Sequence, residues 1–531
     1  MTADLKDLTS GSGTARDSVT VGAWTAISRG TGVIRVVVIG AVLGPTFLGN
    51  TYQLTNSLPS LIYYGFLAGS LFVSLLVPAL VKHIDNGRPE DTARVSGGFL
   101  GIALVSLLLL APLAVLLLPE LLRVVGLNGT AAQDSQQIEV ARLLVLLTVP
   151  QVFLFAVVGA STAVMYAHRR YALAAAAPVA ENAGIITVLI LAGVIYGRGQ
   201  ELGEHSTGEV LLLGLGSTAA VGAHAALQWW GARRAGVLLR PRAGWRDPEV
   251  IVTVRRALRS LAQAGLLAVQ ILALLLVSNR VAGGTVATQM ALNFYYLPIA
   301  LAATPVALAL LPRLSRLHQG DTPHEFAGTF TQGLGLAWFI AIPAATGFVV
   351  LAEPIGHTIG FVLISGGLAA LSLGLVGETT FYVTTQAAYA RGDTRTPLVS
   401  MALQAVVCLT LCAVTAIFVK PEHLLPALGA AYAVASLVGG AHLFLRLSRG
   451  WQRRQLWASL GRIVFGSAVM AAPVYFCARL VGSQIDGRVG QVLAVVAGAL
   501  VGVLVFGALQ RVLRAPELAW LVTGLRAKGA G

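Results

Sequence analysis

From about residue 18 to residue 511 the chain is a near-continuous series of apolar stretches, fourteen in number, each long enough to cross a lipid bilayer. A spanning helix needs about 20 mostly apolar residues. In hydrocarbon every backbone N–H and C=O must be satisfied within the protein, so such stretches fold as helices. The spans fall at about 18–44, 52–81, 95–118, 139–166, 172–196, 208–232, 258–280, 287–312, 326–351, 364–390, 397–419, 424–446, 460–482 and 488–511. The expected fold is therefore an all-α polytopic membrane protein with 14 transmembrane helices.

Charge placement orients these spans. The chain is 56% hydrophobic and 11% charged, where soluble domains carry about 25% charged residues. Its formal net charge of +14 could suggest a nucleic-acid partner, but the basic residues alternate with the spans. Lys82, Arg88 and Arg94 follow span 2, Arg169 and Arg170 follow span 4, Arg313 and Arg316 follow span 8, and Arg391 and Arg395 follow span 10. The odd-numbered gaps are acidic or neutral, with Glu120 and Asp134, then Glu201, Glu204 and Glu209. The positive-inside rule puts both termini in the cytoplasm. The basic excess is then topological, with some attraction for anionic membrane lipid and none required for nucleic acid. Residues 1–17 are polar and lack the apolar core of a cleavable signal; they read as a disordered cytoplasmic segment. Cys408, Cys412 and Cys477 lie inside apolar spans without disulfide or metal spacing.

The longest cytoplasmic gap runs from about Gly231 to Leu258 and holds Arg233, Arg234, Arg240, Arg242, Arg246, Arg255 and Arg256. Within it, Trp245-Arg246-Asp247-Pro248-Glu249 reads as a helix start, Asp247 capping and Pro248 in the first turn. Val250–Arg259 fits an amphipathic helix on the inner leaflet. This gap separates six spans from eight. An internal repeat supports the division: span 2 ends Val77-Pro78-Ala79 before Lys82, and span 8 ends Leu311-Pro312-Arg313. Span 4 ends Tyr166-Ala167-His168-Arg169, and span 10 ends Tyr389-Ala390-Arg391. Two echoes in one order, both on the cytoplasmic side, imply parallel repeats. The expected organisation is an N-lobe over 18–232, a basic linker over 233–257, a C-lobe over 258–446, an added helix pair over 447–511 and a cytoplasmic tail over 512–531. Two like-oriented six-helix lobes with two extra C-terminal helices are the plan of a secondary transporter working by alternating access. The chain has no HExxH, no paired-Asp motif and no Walker loop, which argues against an enzyme or an ATP-driven pump.

The residues that break apolarity carry the chemistry. A charge inside a span costs at least about 2.5–3.5 kcal/mol on insertion scales, yet the first span holds both Arg29 and Arg35, in Ser28-Arg29-Gly30-Thr31-Gly32-Val33-Ile34-Arg35. Six positions apart, they point about 120° from one another around a helix, so sharing one site calls for a bend at Gly30 and Gly32. Arginine grips phosphate bidentately and never loses its charge. The pair suits a substrate bearing a diphosphate; the alternative is that each pairs with Glu181 or Glu378 or snorkels to an interface. Glu181 in span 5 and Glu378 in span 10 are candidates for carrying a proton or Na⁺, or for balancing an arginine. Asn56 in span 2 and Asn293 in span 8 offer polar contacts. Tyr63, Tyr64, Tyr295 and Tyr296 could stack on a sugar or serve as core packing. Pro59, Pro78, Pro298, Pro305 and Pro312 predict kinks in spans 2 and 8.

At this point the chain resembles the MurJ/MviN lipid II flippases of the multidrug/oligosaccharidyl-lipid/polysaccharide exporter superfamily. Three stretches carry the likeness: Ser28-Arg29 with Gly32, Arg35, Gly40 and Gly44; Leu58-Pro59 with Gly69 and Pro78; and Ala388-Tyr389-Ala390-Arg391-Gly392-Asp393-Thr394-Arg395-Thr396-Pro397. The resemblance implies a bacterial cytoplasmic-membrane flippase that carries a polyprenyl-diphosphate-linked cell-wall precursor outward. It also implies membrane lipids and cell-wall synthesis proteins as surroundings, no cofactor, and a drive from an H⁺ or Na⁺ gradient or the membrane potential. Arg29 and Arg35 would serve translocation. The chain departs from the family where Asn50 replaces an acidic residue, where Tyr63 and Asn293 stand at positions of further arginines, and where spans 7, 11 and 12 lack the carboxylates of a sodium site. Three other functions therefore remain open: a flippase for another lipid-linked saccharide, a cation-coupled drug exporter, and a scaffold.

The topology predicts that a cysteine introduced at Arg246→Cys reacts with an impermeant thiol reagent only after the membrane is permeabilised. Labelling from outside intact cells would reverse the assignment.

Overall fold

A computed structural model describes residues 11–63, 69–127, 129–168, 170–320, 322–449 and 454–519. Among the described residues the ordered structure is helical, with no strand. Eleven helices are long and apolar enough to cross a membrane, or twelve when one bent pair is taken as a single span. The two remaining expected spans, 18–44 and 52–81, correspond to α1 and to the α2–α3 stretch described below. Exposed side chains along the helices include Leu108, Leu109, Leu116, Ile417, Phe418, Val503 and Leu504. On a protein in water these would be a liability; toward lipid tails they are the favoured surface.

The chain divides into two compact units, Met1–Ala268 and Val269–Gly531. The first contains α1 (Gly11–Leu43), α2 (Phe47–Ile62), α3 (Gly69–Asp85), α4 (Pro89–Leu121), α5 (Ala131–Thr148), α6 (Pro150–Ala167), α7 (Tyr171–Ile195) and α8 (Thr207–Arg234). α1 lies along α7, and α7 along α8. Span 4 is interrupted at Val149 because Pro150 cannot donate a backbone hydrogen bond to the turn before it. Of the segment read as disordered, residues 1–10 lie outside the described residues, and 11–17 form the start of α1. Tyr64 and Arg169 also lie outside them.

The basic linker is held by backbone contacts. Arg242 N donates to Gly97 O at 2.9 Å. Gly97 and Gly101 on α4 lie under the carbonyls of Arg240 and Arg242, where a side chain would collide with the linker backbone. Charges secure the same junction. Arg94 bonds Asp247, and reaches Glu249 at 3.1 Å and Asp91 at 3.2 Å, while His83 meets Glu249 at 2.8 Å. Asp247 caps the next helix, accepting from Glu249 N at 3.0 Å. The expected amphipathic segment Val250–Arg259 is not a separate helix. It is the beginning of α9 (Pro248–Ser278), which continues without a break because no proline interrupts the run after Pro248. The division between the units falls within α9.

The second unit continues with α10 (Gly284–Pro298), a π-helical turn at Ile299–Ala303, α11 (Thr304–Gln319), α12 (Pro323–Ile359), α13 (Ile364–Ser372), α14 (Leu375–Ala390), α15 (Arg395–Phe418), α16 (Pro421–Leu447), α17 (Arg454–Gln484) and α18 (Gly487–Val512). The π turn follows Pro298 directly, so the kink expected in span 8 has both a proline and a widened turn. Span 10 is broken: α13 and α14 meet at 49°. α14 and α16 approach so closely that a Cβ on Gly377 would lie 2.5 Å from the Ser436 and Leu437 backbone. α17 and α18 pack on one another and on α12.

Gly101→Ala would place its Cβ 1.9 Å from Arg242 O, and should cost about 1–3 kcal/mol by displacing the linker. Gly30 has nothing within 4 Å of its Cβ position, so Gly30→Ala should be neutral or add up to about 1 kcal/mol from helix propensity. Thermal unfolding of the two variants in one detergent checks the contrast; equal melting points would contradict it.

Candidate functional sites

In the first unit the polar residues of α1, α7 and α8 come together. Arg35 Nη1 donates to Glu181 Oε1 at 3.2 Å. Glu181 Oε2 meets His224 Nδ1 at 2.7 Å. The side chains are 27%, 14% and 6% exposed for Arg35, Glu181 and His224 respectively. Below the histidine, Gln228 Nε2 lies 3.4 Å from His224 Nε2 and donates to Ala174 O at 3.1 Å, while its Oε1 accepts from Thr162 at 3.3 Å. With Gln228 Oε1 taken by the Thr162 hydroxyl, its amide N–H groups face the ring. His224 Nε2 is therefore the acceptor and Nδ1 carries the proton that points at Glu181. The trio is one cation, one anion and one neutral imidazole, so its formal charge is zero.

The neighbouring Asn182 ties α7 to α1 from the same turn, donating to Ser28 O at 3.2 Å and to Thr31 Oγ1 at 3.0 Å. α1 is one continuous helix through Gly30 and Gly32, so the hydrogen-bonded helix carries both arginines without a chain break between them. A glycine inside a helix costs only about 1 kcal/mol, and Gly32 leaves room for the Asn182 amide, 3.7 Å from its Cβ position. Arg29 is exposed, and among the described residues it makes no ion pair. Arg35 Nε is buried with no hydrogen-bond partner. The Arg35 fork therefore has donor capacity beyond its bond to Glu181, as does the whole of Arg29, and both suit an oxyanion.

Two other predicted residues of this unit separate. Asn56 Oδ1 is buried and unpartnered on α2. Tyr63 is packed inward: its ring stacks on Phe155 with centroids 5.4 Å apart, and its hydroxyl end presses on Gly159 of α6. That ring is engaged in protein packing and offers no free face there. The sequence reading missed His224, Asn182 and Gln228. The available signal was a histidine within an apolar span, with Gln228 one turn on, sharing its face.

In the second unit Glu378 lies one turn past the break between α13 and α14, only 7% exposed. Ser436 Oγ on α16 donates to its Oε2 at 3.1 Å. Among the described residues no Arg, Lys or His lies within ion-pair distance of it. The neighbourhood is rich in hydroxyls: Tyr296 OH and Tyr432 OH are 2.9 Å apart, and Tyr295 packs edge-on against both rings. A buried carboxylate with hydrogen-bond donors around it but, among the described residues, no cationic partner is stabilised further by a proton or a cation. Asn293, by contrast, is half-buried and uses its amide N–H on Gln289 O at 2.9 Å. Among the described residues no group of three or more His, Cys, Asp or Glu side chains is placed to hold a metal ion.

Comparison with known proteins gives a consistent result. The family model described as lipid II flippase MurJ matches residues 39–497. A probable lipid II flippase MurJ from Rhizobium meliloti (strain 1021) is 27% identical over 472 residues, covering 86% of this chain and 85% of the relative. The lipid II flippase MurJ of Burkholderia cenocepacia is 24% identical over 414 residues, covering 72% of this chain and 74% of the relative. Among solved structures, a lipid II flippase MurJ in an inward closed conformation superposes with a TM-score of 0.70 at 17% identity, over 93% of this chain and 99% of the other. An inward-facing multidrug resistance MATE transporter of the MOP superfamily superposes at 0.62 with 15% identity, over 82% and 94%. These structural likenesses speak to the fold.

The Glu181–His224 contact predicts that His224→Ala, by leaving Glu181 Oε2 without its buried donor, lowers stability by about 1–3 kcal/mol. Combining it with Glu181→Ala should cost less than the sum of the two single losses, because each single variant already breaks the Glu181–His224 contact. Strictly additive losses in thermal unfolding would show that the two side chains are not coupled.

Proposed function

The chain belongs to the lipid II flippase MurJ family, a family of multi-pass membrane transporters and not of enzymes, and we propose that it carries a polyprenyl-diphosphate-linked cell-wall precursor from the inner to the outer leaflet by alternating access. In this reading both termini are cytoplasmic, and proteins that make and use the precursor work on either side of it. Arg29 and Arg35 grip the diphosphate while the prenyl tail stays in lipid. The observation that carries the reading is the spare donor capacity of two arginines within one spanning helix. A buried guanidinium N–H without an acceptor is costly, and a bridging diphosphate is a matching acceptor.

Asn56 on α2, whose Oδ1 is buried and unpartnered, is a further substrate contact in the first unit, and Asn293 on α10 is one in the second. Tyr63 acts through packing. Asn50 and Asn293 stand where the family resemblance implies charged residues, and this favours a second reading for the glycan alone: a lipid-linked saccharide other than lipid II. A cationic drug is the poorer substrate, since the residues on offer are arginines. Glu378, buried without a cationic partner among the described residues, is the site for a coupling proton or Na⁺.

Headgroup translocation in proteoliposomes tests the assignment. Arg29→Ala should lose nearly all activity. Arg29→Lys should lose much of it, because a single ammonium cannot reproduce the fork geometry; each lost charge-assisted bond is worth about 1.5–3 kcal/mol, or about 10–100-fold. Glu378→Gln keeps the Ser436 contact and should remove the dependence on an imposed cation gradient. Full activity in both Arg29→Ala and Arg35→Ala, at normal expression, would leave both arginines structural.

A further inference from the structure

Glu181 and His224 do more than neutralise Arg35. We propose that they form a proton-accepting pair that is loaded when Arg35 leaves it for the substrate diphosphate, so that substrate binding and proton uptake are linked in the first unit. This rests on the assignment of Arg35 as a phosphate-gripping residue. Glu181 and His224 are then positioning residues: they hold Arg35 before the substrate arrives and take up the charge imbalance afterward.

The argument follows from counting charges. Before binding, Arg35, Glu181 and His224 sum to zero, with the imidazole neutral and its Nδ1–H on Glu181. When the guanidinium turns to an oxyanion, Glu181 keeps the imidazole N–H but loses the one cation paired with it among the described residues. An uncompensated carboxylate in so enclosed a place is unfavourable. One proton from water removes the penalty, either on the carboxylate or on His224 Nε2, which gives up its contact with the Gln228 amide. The incoming anion favours the same step. No other bond forms or breaks, and the proton returns to water when substrate leaves and Arg35 swings back.

Among the described residues no other charged group is at hand to do this. α2 contains no Asp, Glu, Lys, Arg or His; its Tyr52 hydroxyl is bonded to Ser217 at 2.8 Å. α6 likewise contains none, and presents Thr162. On α1 the other charge near this level is Arg29, a cation that cannot be deprotonated. On α5, Glu139 and Arg142 are exposed. On α8, Glu209 is fifteen residues from His224, about 22 Å along the axis, and Arg233 and Arg234 lie toward its other end. α7 carries no charged side chain besides Glu181.

The sign follows. The bound state holds one more proton than the free state, so affinity for the anion rises as pH falls and is lost as pH rises. The probe is a P1,P2-dialkyl diphosphate, whose two acidic groups stay ionised and do not themselves titrate in the range used. Calorimetry on the full-length protein in nanodiscs, in buffers of different ionisation enthalpy between about pH 5.5 and 8, gives both affinity and protons taken up. The wild type should take up close to one proton per probe bound, with affinity changing by up to about tenfold per pH unit within the transition. Glu181→Gln should bind with no proton uptake and no pH dependence, at least as tightly as wild type at the alkaline end. His224→Gln should retain uptake but move its pH midpoint. Binding that Arg35→Ala abolishes, but that proceeds without proton uptake in the wild type, overturns this inference and leaves the phosphate grip standing. An unmoved midpoint in His224→Gln overturns the role of the histidine. No binding to wild type, or binding indifferent to Arg35→Ala, overturns the grip itself and this inference with it.

Discussion

An arginine within a spanning helix must find partners inside the protein, and much of the first unit is arranged around that need. Arg35 directs its guanidinium to α7, which supplies Glu181, and α8 supplies His224 behind it. Gln228 and Thr162 then fix the ring, and Asn182 fixes α7 against α1. Each polar group in this chain of contacts answers the one before it. Hydrocarbon gives no credit for an unsatisfied donor, and a network of this kind is cheaper complete than partial.

The second unit solves the opposite problem. It buries a carboxylate, Glu378, beside a helix break and surrounds it with hydroxyls instead of cations. A guanidinium partner would hold such a carboxylate in one charge state, and hydroxyls do not impose that constraint. The close approach of α14 and α16 through Gly377 and Gly440 brings Ser436 within reach of the carboxylate. Thus the first unit pairs its buried charge internally, while the second holds a carboxylate among hydroxyls.

Much of the fold was legible in the sequence because the bilayer imposes it. Span positions follow from apolar length, and Pro298, one of the expected kink positions, marks the interruption found in span 8. The family resemblance rested on α1, on the Leu58–Pro78 stretch and on the loop after α14, and the family match over residues 39–497 bears out the family. What the sequence hid was partnership. Glu181 and His224 are 43 residues apart, and nothing in the chain between them says they touch. The docking of the linker was equally hidden, since Gly97 and Gly101 read as ordinary small residues of an apolar span until Arg242 is seen lying across them. Tyr63 was offered as a sugar platform on residue type alone, and type does not reveal which ring already has Phe155 for company.

The central claim is that the arginines of α1 bind the substrate diphosphate directly. The most direct measurement is a solid-state ¹⁵N–³¹P distance between guanidinium-labelled arginine and the diphosphate of a bound lipid-linked precursor in nanodiscs, repeated with Arg29→Lys and Arg35→Lys to identify the residue. Contact at hydrogen-bonding range, about 4 Å or less from guanidinium nitrogen to phosphorus, that disappears with those substitutions is the predicted result. A bound precursor whose phosphorus couples to no arginine, or to arginines unaffected by either substitution, would contradict the account.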